Sequence, residues 1–303
     1  MKTKLFSFVL MFTAIASFAQ QDAQFTQYMY NTININPAYA GSRGVLSIFA
    51  LHRTQWVGLD GAPVSNTVSM NTPLNGQNLG LGVSFINDEI GPVQENAISA
   101  DVSYTIPTSE TLKFSFGIKA TANLFNIDAS KLDSELIADP SFQDLDNEFT
   151  PNIGAGIYLH SDKAYVGFSV PNFIESNRYD DNDVKIYKEK INYYLIAGGV
   201  FNLTNTIKFK PALLTKMVEG APLQVDVSGN FLFNDKFMIG VAYRWSAAMS
   251  AMVGFQISDS IYIGYGYDYE TTNLENYNSG SHEIFLRYEI FKNNNKITTP
   301  RFF

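Results

Sequence analysis

The chain has 303 residues, no cysteine, a formal net charge of −8 and a mean hydropathy of −0.06. Without cysteine, a disulfide framework and a thiolate metal site are both excluded. An acidic chain without basic clusters argues against nucleic acid as a partner. Mean hydropathy near zero is usual for soluble proteins, but it also fits strands that are apolar on one face only.

The first predicted element is a secretory signal peptide over residues 1–19. Two early lysines precede an apolar run from Leu5 to Phe18, and the small residue Ala19 ends it. This run is too short and too one-sided for a retained membrane-spanning helix. We therefore expect the mature chain to be exported.

Residues 20–42 form a second predicted unit, which is too polar and irregular to span lipid. It contains Phe25, Tyr28, Met29 and Tyr30, and aromatic side chains need apolar surface to cover them. We expect this segment to fold into the lumen or the periplasmic mouth of the domain that follows. A disordered periplasmic leader is the alternative.

Residues 43–291 show the alternation of apolar and polar side chains that indicates β-strands with one apolar face. The pattern predicts about fourteen strands, an even number. It is clearest in residues 112–121, 223–231, 237–245, 261–269 and 284–290. A soluble β-sandwich could alternate in the same way, so alternation alone does not decide the class.

The lengths of the links between predicted strands favour a membrane barrel. Short links are expected at residues 73–76, 107–110, 161–163, 203–205, 234–235 and 258–259. The intervening links are mostly longer, at residues 55–62, 87–92, 125–150, 171–190, 215–221 and 271–281. Outer-membrane barrels have such short periplasmic turns and long surface loops. The sequence therefore predicts an all-β, transmembrane, antiparallel up-and-down β-barrel of about 14 strands in the outer membrane, with a periplasmic tail at residues 292–303.

Two charged groups of residues bear on function. The predicted surface loop carries seven carboxylates: Asp128, Asp133, Glu135, Asp139, Asp144, Asp146 and Glu148. They form either a solvated loop or a docking face for a protein partner. The predicted inward positions mix both signs, namely Asp101, Lys113, Lys119, Asp226, Arg244, Asp268, Arg287 and Glu289. Such a lumen suits charges that pair with each other or with a plug, the alternative being a water-filled lumen.

Residues that could support catalysis or metal binding are few. His52, His160 and His282 lie far apart, and none has a metal-ligand spacing. Asp144-x-Asp146-x-Glu148 resembles a calcium loop only weakly, because Phe149 stands where that loop has glycine. We expect no enzymatic activity, no catalytic residue, no cofactor and no metal.

Three runs of the sequence resemble the opening of the PorP/SprF family of type IX secretion outer-membrane proteins of Bacteroidetes. They lie at residues 24–29, 36–44 and 53–63, and the Thr299–Phe303 tail resembles the ending of that family. The residues that carry the match are Phe25, Tyr28, Asn36, Pro37, Ala38, Tyr39, Gly41, Arg53, Gln55, Trp56, Gly58, Gly61, Pro63, Pro300 and Arg301.

The resemblance implies a barrel that assists type IX secretion. Family members support the export or the surface anchoring of a cognate secreted protein, often an adhesin of gliding motility recognised through its C-terminal domain. Some contact a periplasmic protein that binds peptidoglycan. The resemblance assigns no binding-site residue, because the matched runs look structural. The alternative is an outer-membrane porin or transporter for small or hydrophobic solutes.

Overall fold

The computed structural model describes residues 24–74, 78–131, 145–175, 177–178, 187–188 and 190–291. The predicted signal peptide at 1–19 and the predicted tail at 292–303 lie outside these residues. Within the described part, no helix is long and apolar enough to cross a membrane.

Fourteen antiparallel strands form a closed barrel, as predicted. They are β1 (Leu46–Thr54), β2 (Val64–Pro73), β3 (Leu79–Ile90), β4 (Val93–Pro107), β5 (Lys113–Ile127), β6 (Leu145–His160), β7 (Ala164–Val170), β8 (Asn192–Gly199), β9 (Ile207–Val218), β10 (Gln224–Phe233), β11 (Phe237–Arg244), β12 (Ala248–Gln256), β13 (Ile261–Glu270) and β14 (Ser281–Ile290). An extra strand, Phe201–Asn202, continues the line of β8 and pairs with β9. A small hairpin, Asn177–Arg178 with Tyr187–Lys188, lies between β7 and β8.

The barrel closes where β1 pairs with β14, from Leu46 opposite Ile290 to Thr54 opposite His282. Each strand of the ring therefore has a partner on both sides, although the loop-end part of β6, residues 145–154, pairs with β5 alone. In hydrocarbon, where water cannot satisfy backbone groups, only helices and closed barrels are stable spanning structures. The hydrogen-bonded ring thus supplies the backbone pairing that strands need in hydrocarbon.

The predicted alternation of side chains is present in the strands. On β11, Phe237, Ile239 and Val241 are exposed on the outer surface, and Met238 and Gly240 between them are buried. Apolar residues thus cover the outside of the barrel, whereas the buried set that faces the lumen is rich in polar and charged residues. This is the reverse of a soluble protein and is what a lipid-facing wall requires.

Short links join the strands at one end of the barrel, which we call the turn end, and the longer links lie at the other, the loop end, together with the short links after β3 and β11. One predicted long link is wrong. Instead of a loop at residues 87–92, β3 continues to Ile90, β4 starts at Val93, and Gly91 turns the chain with a φ of 56°. The backbone ladder continues past the apolar positions because strand pairing does not require apolar side chains.

Residues 24–43 lie inside the barrel. They contain the 3₁₀ helices Tyr28–Tyr30, Thr32–Asn34 and Pro37–Tyr39; the others described are Ala129–Lys131 and Asn273–Asn276 in the loops. Tyr28, Met29 and Ile33 are buried against wall residues such as Tyr158, Tyr262 and Phe285. The apolar core of this protein is therefore inside the lumen, formed between the N-terminal segment and the wall.

Candidate functional site

The candidate site is the lumen with the segment that occupies it, residues 24–43, which we call the plug. Gln24 contacts Gln224 at the loop end of β10, with 2.6 Å between Nε2 and Oε1. Gly41 donates its backbone N–H to Asn71 Oδ1 at the turn end of β2, at 3.3 Å. The plug therefore runs through the lumen from the loop end to the turn end, where β1 begins. The prediction that this segment folds into the lumen is confirmed, but its N-terminal end lies away from the turn end.

At the loop end, a buried cluster of charged groups holds the first plug residues. Arg53 Nη1 lies 2.7 Å from Asp268 Oδ2 and 3.2 Å from Glu283 Oε2. Glu283 also accepts the backbone N–H groups of Thr26 and Gln27, at 3.0 and 2.9 Å. The Thr26 hydroxyl donates to Asp268 at 2.6 Å. Because two carboxylates share one guanidinium, the plug N–H groups supply part of the positive potential that these buried acids require.

Nearer the turn end, Asn36 and Pro37 hold the plug against the wall. Asn36 caps the third 3₁₀ helix by accepting the Ala38 N–H at 3.0 Å, and its Nδ2 donates to the Ile157 carbonyl at 3.0 Å. Pro37 occupies the first position of that helix, where its missing N–H costs nothing. These contacts give the Asn-Pro pair a structural role in holding the plug.

Glycines of the wall allow the plug backbone to approach closely. A Cβ atom on Gly117 would overlap the backbone of Pro37 and Ala38, and one on Gly80 would overlap the Ala40 carbonyl. Ser103 Oγ donates to that same carbonyl at 2.7 Å. The wall is thus shaped to a main chain that lies directly against it.

At the turn end, Arg43 forms a buried ion pair with Glu289, and Arg287 lies 3.9 Å from the same carboxylate. Of the predicted inward charges, Lys113 is exposed at the start of β5, whereas others pair across the wall. Lys119 lies 2.9 Å from Asp101, and Arg244 lies 2.6 Å from Asp226. The lumen therefore neutralises its charges internally and through the plug.

The motif residues fall into two groups. Phe25, Tyr28, Asn36, Pro37, Ala38, Tyr39 and Gly41 belong to the plug, whereas Gln55, Trp56, Gly58, Gly61 and Pro63 build the first loop after β1. In that loop, Gly58 and Gly61 have positive φ values, and Trp56 Nε1 donates to Glu270 at 3.1 Å. Arg53 alone joins the buried cluster. Pro300 and Arg301 lie outside the described residues.

Part of the acidic stretch lies in the described residues. Ser130 donates its hydroxyl and its backbone N–H to Asp128, and the hydroxyl bond chiefly keeps the pKa of this exposed carboxyl below its usual value. Glu148 and the backbone of Asp146 belong to β6. Asp133, Glu135, Asp139 and Asp144 lie outside the described residues, as does the side chain of Asp146. Docking at this stretch stays a prediction.

The histidines and carboxylates do not form a metal site in the described part of the chain. Among the residues that the structure describes, no three His, Asp or Glu side chains converge as metal ligands. His52 and His282 are not buried, and His160 is buried at the turn end of β6. Sequence reasoning did not assemble the Arg53, Asp268 and Glu283 cluster. The available signal was an inward arginine and inward acids at the same level of β1, β13 and β14.

Comparison with known proteins gives one family. The model of the type IX secretion system membrane protein PorP/SprF matches residues 17–288. Proteins of curated function include no match to this chain.

Three solved structures illustrate what the chain is similar to. The CymD monoaromatic hydrocarbon channel is 13% identical, covers 88% of this chain and 93% of its own, and has a TM-score of 0.49. A Pseudomonas aeruginosa FadL homologue is 12% identical over 88% of this chain and 94% of its own, with a TM-score of 0.46. Acinetobacter baumannii Omp33 is 8% identical over 81% and 98%, with a TM-score of 0.45. Such values say nothing about what this chain binds.

Proposed function

Because this chain belongs to the PorP/SprF family of type IX secretion system membrane proteins, we propose that it supports the export or surface anchoring of one cognate secreted protein. The barrel would lie in the outer membrane of a bacterium of the Bacteroidetes, with its turn end in the periplasm. The partner would be a type IX substrate, such as a gliding adhesin, recognised through its C-terminal domain. A periplasmic peptidoglycan-binding protein would contact the turn end.

One observation supports this role over that of a diffusion channel. The lumen holds a segment of the protein itself, fixed at the turn end by the buried Arg43–Glu289 ion pair and at the loop end by hydrogen bonds of Thr26 and Gln27 to buried carboxylates. A pore for free diffusion gains nothing from an occupant anchored in this way, whereas an interaction protein needs a stable barrel more than an open passage. The barrel then acts through its surfaces and loops.

Gene deletion followed by surface proteomics tests the proposal. We expect the loss of one large type IX substrate from the cell surface, and its return when the wild-type gene is restored. In planar bilayers the purified protein should conduct poorly. Unchanged secreted proteins together with reduced uptake of a small solute would instead indicate a transporter.

The acidic stretch can be tested as the docking face in the same cells. We expect amide substitutions at Asp128, Asp133, Glu135, Asp139, Asp144, Asp146 and Glu148 to reduce retention of the secreted protein in a salt-sensitive manner. The matched control neutralises three exposed acids of the turn end, Glu110, Asp162 and Asp235. Equal retention in both variants would leave the stretch as a solvated loop.

A further inference from the structure

A groove with a volume of about 550 Å³ crosses the outer wall of the barrel between two rows of outward side chains. The row on its turn-end side consists of Val68, Ala50, Leu286, Ile263, Phe255 and Phe237. The row on its loop-end side consists of Asn66, His52, Ile284, Tyr265 and Val253. In each row, every residue is the cross-strand partner of the next. The groove therefore follows the line of backbone pairing across six strands, from β2 through β1 and β14 to β11.

The floor of the groove is main chain. The residues between the two rows, such as Thr67, Leu51 and Phe285, are buried with their side chains toward the lumen, so their backbone lies beneath the groove. Neighbouring strands lie about 4.8 Å apart, which gives the groove a length of roughly 24 Å. A volume of about 550 Å³ spread over that length has the shape of one extended hydrocarbon chain rather than of a compact ligand.

The groove rises along the wall from the turn end toward the loop end. Phe237 is the first residue of β11, at the turn end, whereas Asn66 lies seven residues before Pro73, the turn-end residue of β2. Seven residues at about 3.3 Å each, on a strand tilted by roughly 40°, give a height of about 18 Å. The lipid-facing band of an outer-membrane barrel is about 25 Å tall. The upper end of the groove therefore lies in the leaflet on the loop-end side.

A row of neutral polar side chains continues the loop-end side of the groove at this upper end. His52 Nδ1 lies 2.8 Å from Asn66 Oδ1, Asn66 donates to Asn87 at 3.2 Å, and Asn87 donates to Asn96 at 2.9 Å. A side-chain amide has two N–H donors and an oxygen with two lone pairs, so bonds within the row leave hydrogen-bonding capacity for a ligand. The row contains no lysine or arginine, and it suits amide and hydroxyl groups better than phosphates.

We propose that the groove binds one acyl chain of an outer-leaflet glycolipid, lipid A, with the amide that joins this chain to the sugar placed against the polar row. An apolar groove that ends at neutral hydrogen-bonding groups matches a hydrocarbon chain that ends at an amide. The polar end lies toward the loop end, which is the direction of the head of an outer-leaflet lipid when that end faces the cell surface. The inference goes beyond the proposed function and uses only the orientation of the barrel proposed there.

Native mass spectrometry can measure which lipid stays bound. The full-length protein is reconstituted in vesicles that contain lipid A and phosphatidylethanolamine in equal amounts, extracted in mild detergent and ionised with its bound lipids. Phosphatidylethanolamine has the same kind of acyl chain, but an ester in place of the amide, and an ester has no N–H to donate. We expect the wild type to retain lipid A over phosphatidylethanolamine by about tenfold.

Variants locate the bound lipid on the wall. Ala50→Phe places a ring in the groove and should reduce retained lipid A about tenfold. Ala120→Phe, the same change at an exposed outward position of β5 away from the groove, is the matched control and should behave as the wild type. Asn66→Leu keeps the groove apolar but removes an amide, so it should lower lipid A to the level of phosphatidylethanolamine. If Ala50→Phe does not fold, Leu286→Trp fills the same groove.

Three results would overturn the lipid site. They are equal retention of the two lipids by the wild type, equal retention of lipid A by folded variants with a filled groove and by the Ala120→Phe control, and an unchanged lipid preference in Asn66→Leu. A gene deletion without effect on secreted proteins would refute the proposed function and leave the lipid site intact.

Discussion

Single residues of the lumen wall make several of the contacts that hold the plug. Glu283 is 1% exposed and meets both Arg53 and two plug N–H groups. Removing one member of a buried ion pair is costly because the remaining charge loses its partner. At this position the loss also leaves two backbone donors without an acceptor.

We predict that Glu283→Ala lowers the free energy of unfolding by about 3–5 kcal/mol, the range for breaking a buried pair. Urea unfolding in detergent micelles would measure the change. Glu110→Ala, an exposed acid in a turn, is the control and should change stability by no more than about 0.5 kcal/mol. Equal stability of the two variants would mean that the plug N–H groups do not depend on Glu283.

Gly117 offers a second prediction at this scale. The Gly117→Ala methyl overlaps the backbone of Pro37 and Ala38, so we expect the plug to leave its position while the barrel stays folded. Limited proteolysis should then cut within residues 24–43, and channel conductance should rise. Gly199→Ala, whose new methyl would meet no atom closer than 3.5 Å, should behave as the wild type.

Sequence reasoning at this scale identified residue types better than contacts. The pairing of inward charges followed from their mixed signs, because isolated charges in a lumen would be costly. The cluster of Arg53 with Asp268 and Glu283 could not be predicted, since it depends on β1 closing against β14 from the opposite end of the chain. The register between two strands whose contacting residues lie 230 positions apart cannot be deduced from the sequence of either strand alone.

At the scale of elements, the outer face of the strands obeys the rule that apolar side chains meet lipid. Val241, on the outer face of β11, is 62% exposed. We predict that Val241→Arg weakens folding into lipid bilayers by about 2–4 kcal/mol, because a charge near the bilayer midplane is poorly solvated. Lys236→Arg, in the adjoining turn, is the control. Equal folding of the two would contradict a lipid-facing β11.

Four outward polar side chains on β1 to β4 depart from that rule in an ordered way. His52 Nδ1 lies 2.8 Å from Asn66 Oδ1, Asn66 Nδ2 donates to Asn87 at 3.2 Å, and Asn87 Nδ2 donates to Asn96 at 2.9 Å. The residues are direct cross-strand neighbours. Each side chain therefore satisfies the next, which reduces the cost of placing them on an outer surface.

We predict that Asn66→Ala, which interrupts this row, costs about 1–3 kcal/mol, because His52 and Asn87 each lose a partner. Unfolding in lipid vesicles would measure it against Asn96→Ala, which removes only the last bond of the row. A smaller loss for Asn66→Ala than for Asn96→Ala would show that the side chains act independently.

The existence of the strands followed from period-two alternation, but their ends did not. The Ile90–Val93 hairpin was predicted as a longer loop because its polar residues, Asn87 to Glu89, end the apolar alternation. Backbone pairing continued through them, and alternation measures contact with lipid rather than pairing. The prediction was therefore correct about the part of each strand that needs an apolar face.

For the whole molecule, the position of Gln24 predicts which end of the barrel presents the start of the plug. If the loop end faces the cell surface, as proposed, then a Gln24→Cys variant should react with a membrane-impermeant maleimide on intact cells. The native chain has no cysteine, so background labelling should be absent. Asp60→Cys in the first loop is the positive control, and Asp235→Cys in a short turn is the negative control. Labelling of Gln24→Cys only in lysed cells would place it on the periplasmic side.

Passage of the plug through a closed ring also constrains the order of assembly. The plug enters the barrel at the loop end and continues into the wall at the turn end, so the closed ring of strands encloses it. Either β1 pairs with β14 around a plug that is already in place, or the N-terminal side of the plug passes through the barrel after the barrel has closed. A globular protein fused ahead of residue 24 should block both orders of assembly. We expect such a fusion to give barrels that are inserted in the membrane but have no plug in the lumen.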